Sequence, residues 1–501
     1  MNALLLYPEF PDTFWSFKYA LKFIRKMASL PPLGLVTVAA LLPDQWEVRL
    51  VDLNTRKLTP ADLVWADMAF VSGMTVQEDS AQALITRCKE AGVTVVAGGP
   101  LFTIEHERFP LVDHFVLNEA ELTLPPFLED LENGSPRRLY TTTELAEMHA
   151  SPVPRWELAD LQRYATMSIQ YSRGCPYDCD FCNVTALFGN RPRTKSPEQI
   201  IAELDHLYDL GWRGGVFFVD DNLIGDRRHV KNALLPALIE WRRDKRGMSF
   251  STEVSINLAD DESLLHAMAD AGFIQVFIGI ETPDEASLAG CGKKTNLNRD
   301  LVEDVKRIQR AGMQVQGGFI VGFDHDLPSI FQRQIDFIQR SGIVTAMVGL
   351  LQAPPGTKLY ERMRREGRLR DRMSGDNVDG TTNIVTRMSV ESLREGYQSI
   401  MRHIYSPEHY YVRVRTFLRE YRAPTIKMPL DIGSLIGELL ALIRSVYHLG
   451  IVGRERVHYW KLLLWTVFRR PRLFPQAVTF AVMGYHFRKV CEQRVFTDSA
   501  A

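Results

Sequence analysis

Short apolar runs alternate with stretches of helical periodicity along the first 360 residues. Residues 3–7, 48–52, 68–72 and 93–97 are apolar runs of strand length. Between the last two, Ala81, Leu84, Ile85 and Cys88 recur at helical spacing. Strands joined through helices predict an α/β doubly wound domain with a parallel sheet over residues 1–145. Ligands of such sheets sit beyond the carboxyl ends of the strands. Those ends carry Tyr7-Pro8, Asp52-Leu53-Asn54, Ser72-Gly73-Met74 and Gly98-Gly99-Pro100. Glycines there admit a bulky ligand close to the backbone, although a plain turn uses the same residues.

A proline-bearing stretch, 151–154, separates this series from a second one. Strand candidates follow at 167–171, 216–219, 250–254, 275–280, 315–321 and 346–351. Helical patterns lie between them at 197–210, 229–241, 261–271, 298–311 and 328–340. Ser196 and Asp260 are suited to start helices, and Gly211, Gly272 and Gly312 to end them. Six alternations predict a partial (β/α)6 barrel over residues 146–360, with its chemistry at the C-terminal mouth. Residues 361–501 are expected to form an α-helical C-terminal domain, the helix-only pattern beginning near Asn377.

Composition narrows the class. The 501 residues are 46% hydrophobic and 24% charged, which fits a globular protein of several domains and excludes disorder. Six cysteines are too few for a disulfide framework. The amino end shows no signal-peptide pattern, and no apolar run reaches the ~18 residues a spanning helix needs. The expected compartment is the reducing cytoplasm. The net charge of −2 hides a partition. Residues 401–501 carry 16 Lys/Arg against 7 Asp/Glu, a balance of +9, against −11 over residues 1–400.

Three cysteines, Cys175, Cys179 and Cys182, fall within eight positions directly after a predicted strand. Thiolates suit zinc or an iron–sulfur cluster. A structural zinc site wants four ligands, and Cys88, Cys291 and Cys491 stand alone. Three thiolates on one loop suit a [4Fe–4S] cluster with one iron left open. Zinc with a remote ligand such as His206, or three ordinary core cysteines, are the other readings.

The Cys-x-x-x-Cys-x-x-Cys spacing, with Phe181 before the third cysteine, resembles the radical S-adenosylmethionine (SAM) superfamily. The resemblance implies that SAM chelates the open iron and that its cleavage yields a hydrogen-abstracting 5′-deoxyadenosyl radical. It further implies SAM contacts at Phe181, at Asp220 and Asp221 of the Asp220-Asp221-Asn222 stretch that replaces the usual Gly-Gly-Glu, and at Glu253, Glu281, Gly318 and Ile320. A doubly wound domain ahead of the barrel resembles the cobalamin-binding class. Ser72, Gly73, Met74, Gly98, Gly99 and Glu119 are the implied cobalamin contacts, with Leu30-Pro-Pro-Leu-Gly34-Leu a further matching stretch. The Asp-x-His-x-x-Gly motif that supplies a cobalt-ligating histidine is missing, and neither His106 nor His114 stands in that context. The helical tail resembles the extension of the subgroup that includes hopanoid ring methylases.

The resemblance implies a cobalamin-dependent C-methyltransferase acting on an unactivated carbon of a lipid-like or other hydrophobic substrate. A second SAM would restore the methyl group on cobalamin, and a flavodoxin- or ferredoxin-type protein would supply electrons. The competing readings are a cyclase or C–C bond-forming enzyme of the same architecture, or a non-catalytic corrinoid- or cluster-binding partner. No dedicated catalytic acid, base or nucleophile stands out. Two tail segments, 410–422 and 459–472, mix arginine with aromatic residues and lack nucleic-acid-binding signatures. Such segments either pack their aromatics on the barrel or rest on the inner membrane surface as a peripheral contact.

Overall fold

The computed structural model describes residues 1–370, 372–423 and 432–496. The first domain holds strands β1 (Asn2–Tyr7), β2 (Glu47–Asp52), β3 (Met68–Ser72), β4 (Thr94–Gly98), β5 (His114–Val116) and β6 (Leu139–Tyr140). They lie in the order β2-β1-β3-β4-β5-β6, every pair parallel. Burial on both faces explains why Ala3, Leu4, Leu5 and Leu6 form an unbroken apolar run. The strand order reverses between β1 and β3, the switch point where a doubly wound sheet opens a crevice. Two strands, β5 and β6, go beyond the four expected from the sequence. They have three and two residues, too few for a periodicity to register. A Cβ on Gly98 would stand 2.4 Å from the Val116 carbonyl oxygen. Gly99 has φ +87°, and its Cβ would stand 2.3 Å from Ser72 Oγ. Glycine at both positions lets the ends of β3, β4 and β5 close up.

The second sheet contains β7 (Thr166–Ile169), β10 (Gly215–Phe218), β11 (Ser249–Glu253), β12 (Phe273–Glu281), β13 (Gln314–Val321) and β14 (Ala346–Leu350). All pairs are parallel, in the order β14-β13-β12-β11-β10-β7, an open six-stranded barrel. The predicted first strand stops early. β7 ends at Ile169, and Ser172–Arg173 (β8) turns away to pair antiparallel with Arg193–Thr194 (β9). The helix Pro197–Asp209 begins with a Ser196 capping box. The next cap falls one residue later than expected: Asp261, not Asp260, accepts from the Leu264 amide and starts Glu262–Ala271. The predicted helix 229–241 is broken into Arg227–His229, a π turn at Val230–Leu234 and Leu235–Trp241. Pro236, which cannot donate a backbone hydrogen bond, stands at that junction.

The tail is helical, with Val390–Tyr405, Pro407–Glu420, Ile432–Ser445, Arg456–Arg469 and Phe474–Val490 as its main elements. Its first basic, aromatic segment is core. Tyr410, Tyr411 and Phe417 are buried, and the fully buried Arg413 donates to Gln339 Oε1 at 2.8 Å. The segment at residues 9–29 crosses all three parts of the molecule. It carries the short turn Phe14–Ser16 and the helix Lys18–Ile24. The Phe14 ring stacks on Phe487 at 4.3 Å, His486 Nε2 lies 3.0 Å from the Phe14 carbonyl oxygen, and Trp15 Nε1 donates to Met347 Sδ at 3.2 Å.

Candidate active site

The two sheets aim their carboxyl ends at one cavity of about 830 Å³, within the size range of cofactor sites. The first domain lines it with Gly34, Ser72, Gly73, Met74, Gly98 and Gly99, and the barrel with Gln170, Lys195 and Asp221. Trp15 and Met27 of the crossing segment close a third side. A side chain added at Gly34 would meet nothing within 4 Å. Among the described residues no histidine lines the cavity. His106 lies in a turn and His114 on β5, both outside the lining.

Paired ions latch the domains together beside the cavity. Arg173, at the end of β8, holds Glu121 through Nη1 at 3.0 Å and Nη2 at 2.8 Å. Arg193, on β9, holds Glu119 at 2.6 and 2.8 Å. Glu119, one of the implied cobalamin contacts, lines the cavity. Its carboxylate, however, already accepts from Arg193 and from the Ala146 amide at 2.8 Å, so its work is to position the latch.

Cys175, Cys179 and Cys182 stand on the loop that leaves β8, all three thiols free and half-buried. Gly174 starts the loop at φ +91°, where a Cβ would lie 2.8 Å from the Arg191 carbonyl oxygen. The Cys182 amide donates to the Cys179 carbonyl at 3.2 Å, and the Asp180 amide to the Cys291 carbonyl at 3.0 Å. Asp220 is reassigned from a SAM contact. Fully buried, it accepts from the Tyr171 amide at 3.2 Å, from the Ser172 amide and from Ser172 Oγ at 2.5 Å. It therefore braces the backbone that carries the cysteine loop, and burial pushes its carboxyl up to about 7.

The groups facing the cysteines are ionisable. Burial raises Asp221 to about 6, and burial followed by the Asp221 charge raises Glu253 to about 8. Lys293 bonds Glu281 Oε1 at 2.8 Å. Burial alone would lower the lysine, but the Glu281 and Cys179 charges hold it above its ordinary value. Glu281 owes its aim to a register shift between β12 and β13 and to φ +63°. Such a bulge re-aims one side chain. Asn222 Nδ2 is buried without a partner and stands beside the Cys175 sulfur. Burial raises that thiol, and the Tyr177 amide opposes the rise more than Lys293 or Asn222 does. Phe181 meets Phe323 edge to face at 6.1 Å and shares an apolar cluster with Ile320 and Cys291. Gly318 makes room for Phe277, its Cβ position lying 2.8 Å from Phe277 Cζ. Sequence reasoning missed Lys293 and Trp15, because only the folded chain brings them to the mouth.

The donor set fits a cluster better than a lone ion. Among the described residues no three His, Cys, Asp or Glu side chains converge on a single metal position. Thiolates around an iron–sulfur cube bind different irons, so they do not need to converge. His206, the remote zinc ligand considered above, sits on the outer helix Pro197–Asp209 and faces Glu157 at 3.4 Å. The open space over glycines at the switch point fits a large planar cofactor.

Comparison with known proteins agrees with this division. The B12 binding domain model matches residues 28–128, the Radical SAM superfamily model 169–338, and a domain of unknown function (DUF4070) 357–497. An uncharacterized methyltransferase of Synechocystis sp. is 38% identical, over 99% of this chain and 93% of its own. The hopanoid C-2 methylase of Rhodopseudomonas palustris is 34% identical, over 92% and 89%. Among solved structures, the cobalamin-dependent SAM radical enzyme OxsB, with aqua-cobalamin and SAM bound, aligns with TM-score 0.61 at 14% identity, over 99% of this chain and 84% of its own. The radical SAM methyltransferase TsrM of Kitasatospora setae, with cobalamin and a [4Fe–4S] cluster bound, aligns with TM-score 0.59 at 16% identity, over 98% and 99%. At these identities the two structures speak for the fold.

Proposed function

The chain belongs to the cobalamin-binding radical SAM methyltransferases, and from that premise we propose that it C-methylates an unactivated carbon of a hydrophobic, lipid-like substrate. The cavity carries this reading. Its lining includes Phe10, Trp15, Leu33, Leu41 and Phe70, a surface for an apolar molecule with few polar anchors. The hopanoid C-2 methylase relative makes a polycyclic lipid the first substrate to try. That the full-length relatives are methyltransferases favours methyl transfer over cyclisation and over a non-catalytic role.

When bound, the cluster with SAM supplies a hydrogen-abstracting radical and cobalamin carries the methyl group. The protein's own part is placement. Cys175, Cys179 and Cys182 hold the cluster. Lys293 would meet the SAM carboxylate, while Asp221 and Glu253 would meet its ammonium group. Phe181 and Ile320 offer an apolar wall to the adenine. Ser72, Gly73, Met74, Gly98 and Gly99 let the corrin ring approach the backbone. The Arg173–Glu121 and Arg193–Glu119 latches keep the domains closed and water out. The electrons come from a flavodoxin- or ferredoxin-type donor, and the compartment is the reducing cytoplasm.

Lipid extracts of a deletion strain test the proposal. Loss of a species heavier by one CH₂ than an accumulating precursor is expected. Loss of an isomer or of a dehydrogenated product, or a change confined to water-soluble metabolites, would overturn it.

A further inference from the structure

The second basic, aromatic segment of the tail behaves unlike the first. On the helix Arg456–Arg469, Tyr459, Leu462, Leu463 and Thr466 are buried against the protein. The opposite side is apolar too: Val457, Trp460, Leu464, Val467 and Phe468 recur at helical spacing and face solvent, Phe468 at 80% exposure. The helix Ile432–Ser445 presents a second exposed stripe of Ile436, Leu439, Leu440 and Ile443. The turn Val446–Ile451 joins the two, and there Trp460 Nε1 donates to the Gly450 carbonyl at 3.0 Å. A helix apolar on its exposed side as well as its buried one is at home in a core or against lipid, not in water.

Cations fringe this surface. Residues 432–472 hold seven Lys/Arg and two Asp/Glu. One of the two acids, Glu455, is buried and paired with Arg488. The charge decides between occupants. A second copy of the chain would bring a second set of the same cations, whereas anionic headgroups neutralise them. No described helix is long and apolar enough to cross a membrane, so the surface can rest on a bilayer but not span it.

The surface also leads to the cavity. The helix Ile432–Ser445 packs on Lys18–Ile24, and Arg444 Nη1 donates to the Phe23 carbonyl at 2.6 Å. Just beyond, Ile24 and Met27 are exposed, and Met27 lines the cavity. Lys22 and Arg25 continue the basic fringe between them.

We propose that this surface seats on an anionic lipid bilayer, and that Ile24 and Met27 form the rim over which a hydrophobic substrate passes from the bilayer into the cavity. The second half rests on the substrate class proposed above; the first half does not.

Flotation of the full-length, cofactor-loaded protein with phosphatidylcholine vesicles, with and without a quarter of phosphatidylglycerol, tests the seat. Binding is expected to need the anionic lipid and to weaken with salt. Leu464→Glu together with Phe468→Glu should lower partitioning by about tenfold or more while leaving cluster and cobalamin content unchanged. Failure to float overturns the seat, as does flotation indifferent to both phosphatidylglycerol and the substitutions. A self-associated protein that the same substitutions turn monomeric, without vesicle binding, identifies an interface between copies instead. For the rim, a fluorophore placed by Met27→Cys should be quenched by spin-labelled phospholipid in those vesicles. An unquenched label on floating protein overturns the rim alone. If the substrate proves water-soluble, flotation still stands, so the two failures are distinguishable.

Discussion

The carboxyl ends of β3 and β4 bring Ser72, Gly73, Met74, Gly98 and Gly99 to the cavity, whereas β10, β11 and β12 lead to Asp221, Glu253 and Glu281, facing three thiols and Lys293. Both sheets are parallel and six-stranded, but the first reverses its strand order at a switch point while the second runs in sequence order as an open barrel. They differ as well in the residue type at the strand ends. On the assignment proposed above, the first sheet would meet its cofactor with bare backbone and shape, the second with ligands and charge. A corrin ring needs room and gains from burial over its whole area. A cluster and a charged sulfonium need specific donors. The difference teaches that parallel sheets of different topology can be fitted to unlike cofactors by the residues at their carboxyl ends.

Cys179→Ala should break one side only: 5′-deoxyadenosine release is lost completely, while corrinoid binding, read from the visible spectrum, is retained. Gly34→Phe should break the other. Its side chain projects into open space on the cavity wall, so corrinoid affinity should fall by about tenfold to a hundredfold with no loss in melting temperature. Cluster iron and deoxyadenosine release should persist.

Lys293→Met probes the charged side. It strands Glu281, whose side chain is 8% exposed, and should cost about 3 kcal/mol of stability. Adding Glu281→Gln should restore most of that in denaturant unfolding without restoring SAM affinity. If the double variant regains SAM binding, Lys293 is a fold residue only.

The smallest effect concerns the segment that seals both sides. Burial lowers His486 from 6.5 to about 4. The unfolded chain therefore takes up its proton first as pH falls. The histidine's contribution is complete above pH 6.5 and is lost progressively toward pH 4, about 2 kcal/mol of it by pH 5. Thermal melts at pH 7 and pH 5 should show this, and His486→Gln should flatten the difference.

Much of this was legible before folding. The six barrel strands announced themselves through apolar runs, and the cysteine spacing named its own ligand chemistry. The β8–β9 hairpin escaped because each arm has two residues, below any periodicity. Lys293 escaped because nothing local distinguishes it from Lys294; only the bulge at Glu281 gives it a buried partner. Asp220 was misread because a carboxylate after a barrel strand looks the same in sequence whether it faces a ligand or the backbone of Tyr171 and Ser172. The tail's two arginine–aromatic segments have like composition and opposite fates, since burial depends on which helix face meets the barrel.

The central claim is that two cofactor regions, held by unlike means, serve one methyl transfer. Its most direct test is the reduced, cobalamin-loaded protein given SAM labelled with a deuterated methyl group, with both SAM-derived products measured in one vessel. The wild type should release 5′-deoxyadenosine and S-adenosylhomocysteine, Gly34→Phe deoxyadenosine with little S-adenosylhomocysteine, and Cys179→Ala no deoxyadenosine. A wild type that forms no S-adenosylhomocysteine, or a Gly34→Phe variant that loses both products together, would contradict the account.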